Sequence, residues 1–319
     1  MTIYKKIYNL KSFEDAHKKA LRFKDSGGIV LARNLEHVSS EIFTQEYPDL
    51  TFLMSGIDVN SEGSGATSVR KLKLAIEGSF RENGVTSSAY GKISLSGEDE
   101  SLPVFFKDAE SSWTELELLQ ADRQQINLAD RYLSAHNELY NREIDRLGYL
   151  GQVRSDGTQK TTGLLNSAFT TASASGTAAA LSGDALYNEI ASVITDQWNS
   201  VLNVATYKAD RVVMPAPVYN ACFRKVLNSA GSAMTVMSAL VANFPTVQFI
   251  TTPLANSVSG TSRTVAFSTN RRAMQMRIPD PLRISNVWNL GSRYGFDSYF
   301  GIVGLDVIES GAGRILTGL

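Results

Sequence analysis

Residues 69–76, VRKLKLAI, set Val69, Leu72, Leu74 and Ile76 against Lys71 and Lys73 in nearly strict alternation. That is the pattern of a strand with one dry face. A second segment, AYGKISLSG, puts Ile93 and Leu95 on one face, and the linker RENGVTSS between the two is too polar for a core. Together they predict a long hairpin with a charged outer face. Two isolated strands are marginal in water. No third strand pattern follows at once, so the apolar face is expected to lie against a neighbouring subunit.

From Trp113 the pattern changes. TELELL alternates briefly, and then Ile126, Ala129, Leu133, Tyr140, Ile144 and Leu147 form a helical stripe that Leu128, Tyr132 and Leu139 widen. About 25 residues at ~1.5 Å each make a rod on the order of 38 Å, with Gly148 and Gly151 expected as its C-cap. After the small-residue run SAFTTASASGTAAALSG, expected as a surface connection, Asp184 opens an amphipathic helix carrying Leu186, Ile190, Ile194 and Trp198 at four-residue spacing. RVVM then reads as a strand and PVYNACFRKVLN as a helix with Pro217 in its first turn. AMTVMSALVANF reads as a helix, TVQFITT and RTVAFST as strands, and AMQMRI as a segment stopped by PDP. Such a succession predicts a mixed sheet covered by helices, a second lobe of about 100 residues. The aromatic and β-branched YGFDSYFGIVGLDVI reads as strand, broken by Gly311 and Gly313 before RILTGL.

Composition narrows the function classes. With 31 Lys and Arg against 32 Asp and Glu, the whole molecule has no field that would attract nucleic acid or anionic lipid, so any nucleic-acid contact is expected to be local and unspecific. The first 45 residues are the exception: Lys5, Lys6, Lys11, Lys18, Lys19, Arg22, Lys24 and Arg33 outnumber Glu14, Asp15 and Asp25. A short helix from Phe13 to Phe23, stopped by Ser26-Gly27-Gly28, suits an arm better than a core. One cysteine, Cys222, excludes a disulfide framework and a multi-thiolate zinc site. No segment has the length and apolarity of a membrane span, and no apolar signal region opens the chain; the expectation is a protein cytoplasmic at synthesis.

Candidate chemistry fails on spacing. LGYLGQVRSDGTQKTTGLLN holds four glycines, a lysine and two threonines, but Lys160 lies three residues beyond Gly157, where a phosphate loop needs lysine next to the second glycine. The triplet His136-Asn137-Glu138 has no P-C-x-x-C partner for a zinc deaminase, and His136 reads as a side chain on a packed or wet helix face. DVNSEG, from Asp58, reaches Val69 at the twelfth position of a calcium loop, where a bidentate glutamate is required, and reads as a flexible loop. Three histidines and no G-x-S-x-G elbow give no hydrolase triad. Cys222 falls on the apolar stripe of its helix with Val218 and Val226, buried and inert. No catalytic residue, cofactor or metal is expected.

In order of elements (arm, extended hairpin, long helix, glycine loop ending in GLLN, mixed α/β lobe, return strand) the chain resembles the major capsid proteins of tailed phages with the Hong Kong 97-type fold. The most specific local part is the long helix followed by GQVRSDGTQKTTGLLNS. The resemblance implies an α+β fold made of an N-arm (1–45), an extended E-loop hairpin (46–108), a P-domain with a long spine helix (109–170), an A-domain with a mixed sheet flanked by helices (171–282), and a P-domain return strand with the C-terminal segment (283–319). It implies hexamers and pentamers closing into an icosahedral shell around double-stranded DNA, with scaffolding, portal and decoration proteins as partners and no membrane. The candidate inter-subunit residues are Val69, Arg70, Lys71, Leu72, Lys73, Leu74, Ile76, Ile93 and Leu95: Val69, Leu72, Leu74 and Ile76 bury the dry face, while Arg70, Lys71 and Lys73 face a polar rim. Lys71, Lys73, Asn286 and Asn289 supply the residue types of the covalent crosslink some relatives form, but their spacing identifies no reactive pair. The alternatives are an encapsulin-type shell storing a cargo enzyme and, in another class, an α/β enzyme with an unrecognised site.

Overall fold

The structure, a computed structural model, describes residues 50–79, 93–123, 127–153, 158–201, 204–227 and 234–319. The arm helix expected at Phe13–Phe23, the hairpin tip, Ile126 and Gly157 lie outside the described residues. In chain order the elements are β1 (Val59–Asn60), β2 (Ser68–Gly78), β3 (Ile93–Pro103), β4 (Phe105–Thr114), α1 (Glu115–Arg123), α2 (Leu128–Leu150), β5 (Thr170–Ser173), α3 (Gly183–Ser200), β6 (Arg211–Pro215) and α4 (Ala216–Arg224). They continue with α5 (Val236–Asn243), β7 (Gln248–Thr252), β8 (Arg263–Phe267), β9 (Met274–Arg277), β10 (Asp280–Ile284), β11 (Trp288–Leu290), β12 (Arg293–Ile302), β13 (Gly304–Val307) and β14 (Gly313–Thr317).

The five-stranded sheet runs β5-β14-β8-β6-β7, with β5 parallel to β14, β7 parallel to β6, and β8 antiparallel to both of its neighbours. Both of its faces are buried. Because strand residues alternate, Val212, Met214, Ala266 and Leu316 join Leu186, Ile190, Cys222 and Leu240 in one core. Val213, Val265, Phe267 and Ile315 join Ile144, Leu147 and Leu164 in the other. The expected second lobe is served by the first of these cores, whose buried residues lie within 171–282 apart from Leu316 and Leu319, while the other face of the same sheet joins the core under the long helix, all within a single unit, Asp49–Leu319. The last strand, expected with the return segment, is internal to this sheet, between β5 and β8. The small-residue run expected as a surface connection supplies the edge strand β5.

The long helix packs on a second sheet, in which β12 pairs with β4 on one side and with β10 and β11 on the other. Strand β4 escaped the sequence reading, and TELELL, which begins with the last residue of β4, continues as α1. Residues at every second position of β4 meet α2: Trp113 stacks on Tyr132 at 5.4 Å, Ser111 reaches His136, and Lys107 pairs with Glu143. His136 is buried, with Ser111 Oγ and Ser298 Oγ each 2.6 Å from a ring nitrogen and the Phe296 ring 4.9 Å away. It is a satisfied packing residue.

Gly148 and Gly151 have different roles. Gly151 is the C-cap, with φ +71° and its N–H bonded to Leu147 O at 2.9 Å. Gly148 lies inside the helix, where a Cβ would sit 2.5 Å from the Phe52 ring, so it is a packing position. Asp145, one turn earlier, accepts the Phe52 N–H at 2.7 Å. Burial raises the Asp145 pKa, and the hydrogen bonds from Phe52 and Thr51 act against that rise. The chain then folds back over the helix end: Gln159 and Asn166 both donate to Leu150 O, at 2.8 and 2.9 Å, satisfying a carbonyl that a helix terminus leaves open. Leu164 and Leu165 of GLLN are fully buried.

Candidate assembly surface

The hairpin pairs β2 with β3 in continuous antiparallel register from Ser68↔Pro103 to Gly78↔Ile93. Among the described residues no third strand joins it. Leu72, Leu74 and Ile76 on β2 and Ile93 and Leu95 on β3 share one face, and their exposures are 65, 62, 77, 61 and 70%. Five neighbouring large aliphatic side chains at that exposure form a contiguous apolar surface, the kind that marks an interaction site. Arg70 flanks it, 3.5 Å from Asp99, with both side chains mostly exposed.

The other face is charged and turned toward the chain's own body. Lys71 Nζ lies 2.8 Å from Asp306 Oδ1 and 2.9 Å from Glu100 Oε2. Burial works to lower the Lys71 pKa, but the hydrogen bonds to Asp306 and Glu100 outweigh it and the net shift is upward. Lys73 donates to Ile308 O at 3.3 Å. Three of the expected residues are thus placed differently. Val69 is an odd number of positions from Leu72, so the pleat puts it on the opposite face, where it is half-buried beside Gly63. Lys71 and Lys73 share that face and are engaged within the subunit, not on a rim around the apolar residues.

Asp280 holds the approach to the hairpin. This buried carboxylate accepts Ser64 Oγ–H at 2.6 Å and the Gly65 N–H at 2.9 Å, with Arg283 Nη2 at 3.2 Å. The Ser64 hydrogen bond, then that of Gly65, holds its carboxyl below the ordinary range. A depressed folded-state pKa gives stability that is complete above the unfolded value, about 4, and is lost as pH falls through the lower folded value. Hydrogen exchange in residues 61–67, corrected for intrinsic rates, is therefore expected to be slow at pH 6 and to quicken below about pH 4. In Asp280→Asn that added acid sensitivity should be gone.

Lys160 Nζ sits 4.1 Å from the centre of the Phe105 ring. Cys222 is fully buried, and burial pushes its thiol up to about 12, which makes it inert. Of DVNSEG, Val59 and Asn60 are not loop but pair with Met276 and Arg277 of β9, while 61–63 remain an exposed loop. Among the described residues no group of three or more histidine, cysteine or carboxylate side chains could hold a metal, and no helix is long and apolar enough to cross a membrane.

Residues 84–318 match the family model described as Major capsid protein. The chain belongs to the major capsid protein family. This capsid subunit is similar to a chain of the capsid of Myoviridae phage XM1, at 64% identity over 92% of this chain and 100% of that one, with a TM-score of 0.82. Two more distant structures share the fold: the capsid of a native GTA particle, at 12% identity, 92% and 99% coverage and a TM-score of 0.65, and the mature capsid of bacteriophage PhiM1, at 12% identity, 88% and 91% coverage and a TM-score of 0.61. No curated protein sequence matches the subunit. The molecule is a major capsid protein of phage heads, a mixed α and β subunit that assembles with copies of itself into a shell.

Proposed function

We propose that the subunit has the Hong Kong 97-type division and closes, as hexamers and pentamers, into an icosahedral head around double-stranded DNA. In this reading the N-arm is 1–45, the E-loop 46–108, the P-domain 109–170, the A-domain 171–282 and the P-domain return strand with the C-terminal segment 283–319. The subunit is structural and carries out no catalysis. Scaffolding, portal and decoration proteins are its further partners, and assembly takes place in the host cytoplasm.

The observation that carries this reading is the apolar hairpin face, formed by Leu72, Leu74, Ile76, Ile93 and Leu95 and open in the lone subunit. Each such side chain is worth about 2 kcal/mol when fully buried. Five give on the order of 10 kcal/mol gross, which lies within the roughly 4–15 kcal/mol that association costs. One hairpin contact is therefore marginal, whereas a closed lattice repeats it around every subunit and makes exchange improbable. Arg70 serves at the edge of this contact.

Electron microscopy of purified protein under assembly conditions is the direct test. Closed particles with fivefold and sixfold capsomers, and nuclease-resistant DNA in particles from infected cells, are the expected result. A monomer or dimer that persists under those conditions would refute the shell geometry, and a co-purifying enzyme in place of DNA would favour the cargo compartment.

A further inference from the structure

We propose that the Lys71–Asp306 ion pair is a releasable latch that sets the angle of the hairpin on the subunit. Lys71 projects from the face of β2 opposite the apolar residues, and its ammonium bridges two carboxylates on different parts of the chain. Asp306, on β13, belongs to the body; Glu100 lies directly across the hairpin in the β2–β3 register. The Asp306 side chain is 2% exposed, and its second oxygen accepts from Arg277 Nε at 2.8 Å.

This arrangement differs from an ordinary buried pair. Parting a buried pair is unfavourable because it strands a charge without its counter-ion. Here both partners keep one: Glu100 travels with Lys71, and Arg277 stays with Asp306. The attachment through Lys73 is looser, at 3.3 Å from Ile308 O and 3.8 Å from Glu309. The loop into β2 is anchored at Ser64 and Gly65 by Asp280, which fixes the root of the hairpin and leaves the Lys71 region to turn about it; Gly63 at φ +99° and Gly65 at φ +76° lie at that turning point. The hairpin therefore has a latched orientation, held by Asp306, and a released one in which Lys71 and Asp306 each keep a counter-ion and only the longer, partly exposed Lys73–Glu309 pair is given up to water. Orienting the hairpin in advance lowers the ordering cost of docking. That consequence for assembly rests on the apolar face being the docking surface; the latch itself is a property of the lone subunit.

The test is a pulsed-EPR distance between spin labels at Ser94→Cys on the hairpin and Asn199→Cys on α3, in unassembled subunits; buried Cys222 stays unlabelled. The latched protein is expected to give one narrow distribution. Lys71→Met keeps the aliphatic stem and should move most of the population to a second distance, while Lys71→Arg should restore the first. A Lys71→Met distribution identical to that of the parent overturns the latch. Assembly followed by light scattering is expected to slow at least tenfold in Lys71→Met. If the distances shift while assembly keeps its rate, the latch stands and the docking role of the apolar face fails.

Discussion

Leu74→Asp is expected to leave a folded, soluble subunit that does not close into shells. Leu74 is 62% exposed and lies opposite Gly97 in the hairpin register, so a carboxylate there costs the isolated subunit little. Docking changes the balance. The substitution removes about 2 kcal/mol of apolar burial and adds the desolvation of an unpaired carboxylate, several kcal/mol by itself. The sum outweighs the thin surplus of a single hairpin contact. Sedimentation velocity should show the mutant as small species, with an unchanged circular dichroism spectrum, where the parent protein gives particles. Normal particles from the mutant would rule out the apolar face as the assembly surface.

The second large effect is on folding. Gly163→Ala would place a Cβ 2.3 Å from Gly151 N and 2.5 Å from the Tyr149 carbonyl. These are backbone atoms at the end of α2, fixed by the bonds of Gln159 and Asn166 to Leu150 O, and no side chain can swing aside to make room. Overpacking of this kind costs about 1–3 kcal/mol when neighbours can shift, so about 3 kcal/mol or more is expected here. That is a large part of the ~5–15 kcal/mol stability of a typical domain. Urea unfolding of the unassembled subunit should show a midpoint well below that of the parent. An unchanged midpoint would mean that the chain does not fold back over the helix end as described.

Much of this was legible locally. Period-two alternation placed β2 and β3, and four-residue spacing placed α3, whose Leu186, Ile190 and Ile194 are all fully buried. Strand β4 alternates as regularly as β2, but its inward positions include Lys107, Ala109 and Ser111, so its signal is polar. Those residues are inward because Glu143 and His136 on α2 receive them, and no local pattern reports that. Gly148 read as a cap because it stands three residues before one; its real constraint comes from Phe52, about a hundred residues away in sequence.

The sequence by itself determined the alternation of the hairpin, the long helix, the helices that cover the five-stranded sheet, and strands β6, β7 and β8 of that sheet, but not β5 or β14. These follow from repeats of two and 3.6 residues, which any short window contains. Only the tertiary structure decided which hairpin face is open, because Asp306, 235 residues from Lys71, draws the lysine face inward and leaves the leucines to a neighbour. It also decided that one sheet serves two cores, because β14 reaches its place between β5 and β8 through pairings between distant parts of the chain. Periodicity records which residues share a face, and the partner of that face is set by contacts that close only when the whole chain has folded.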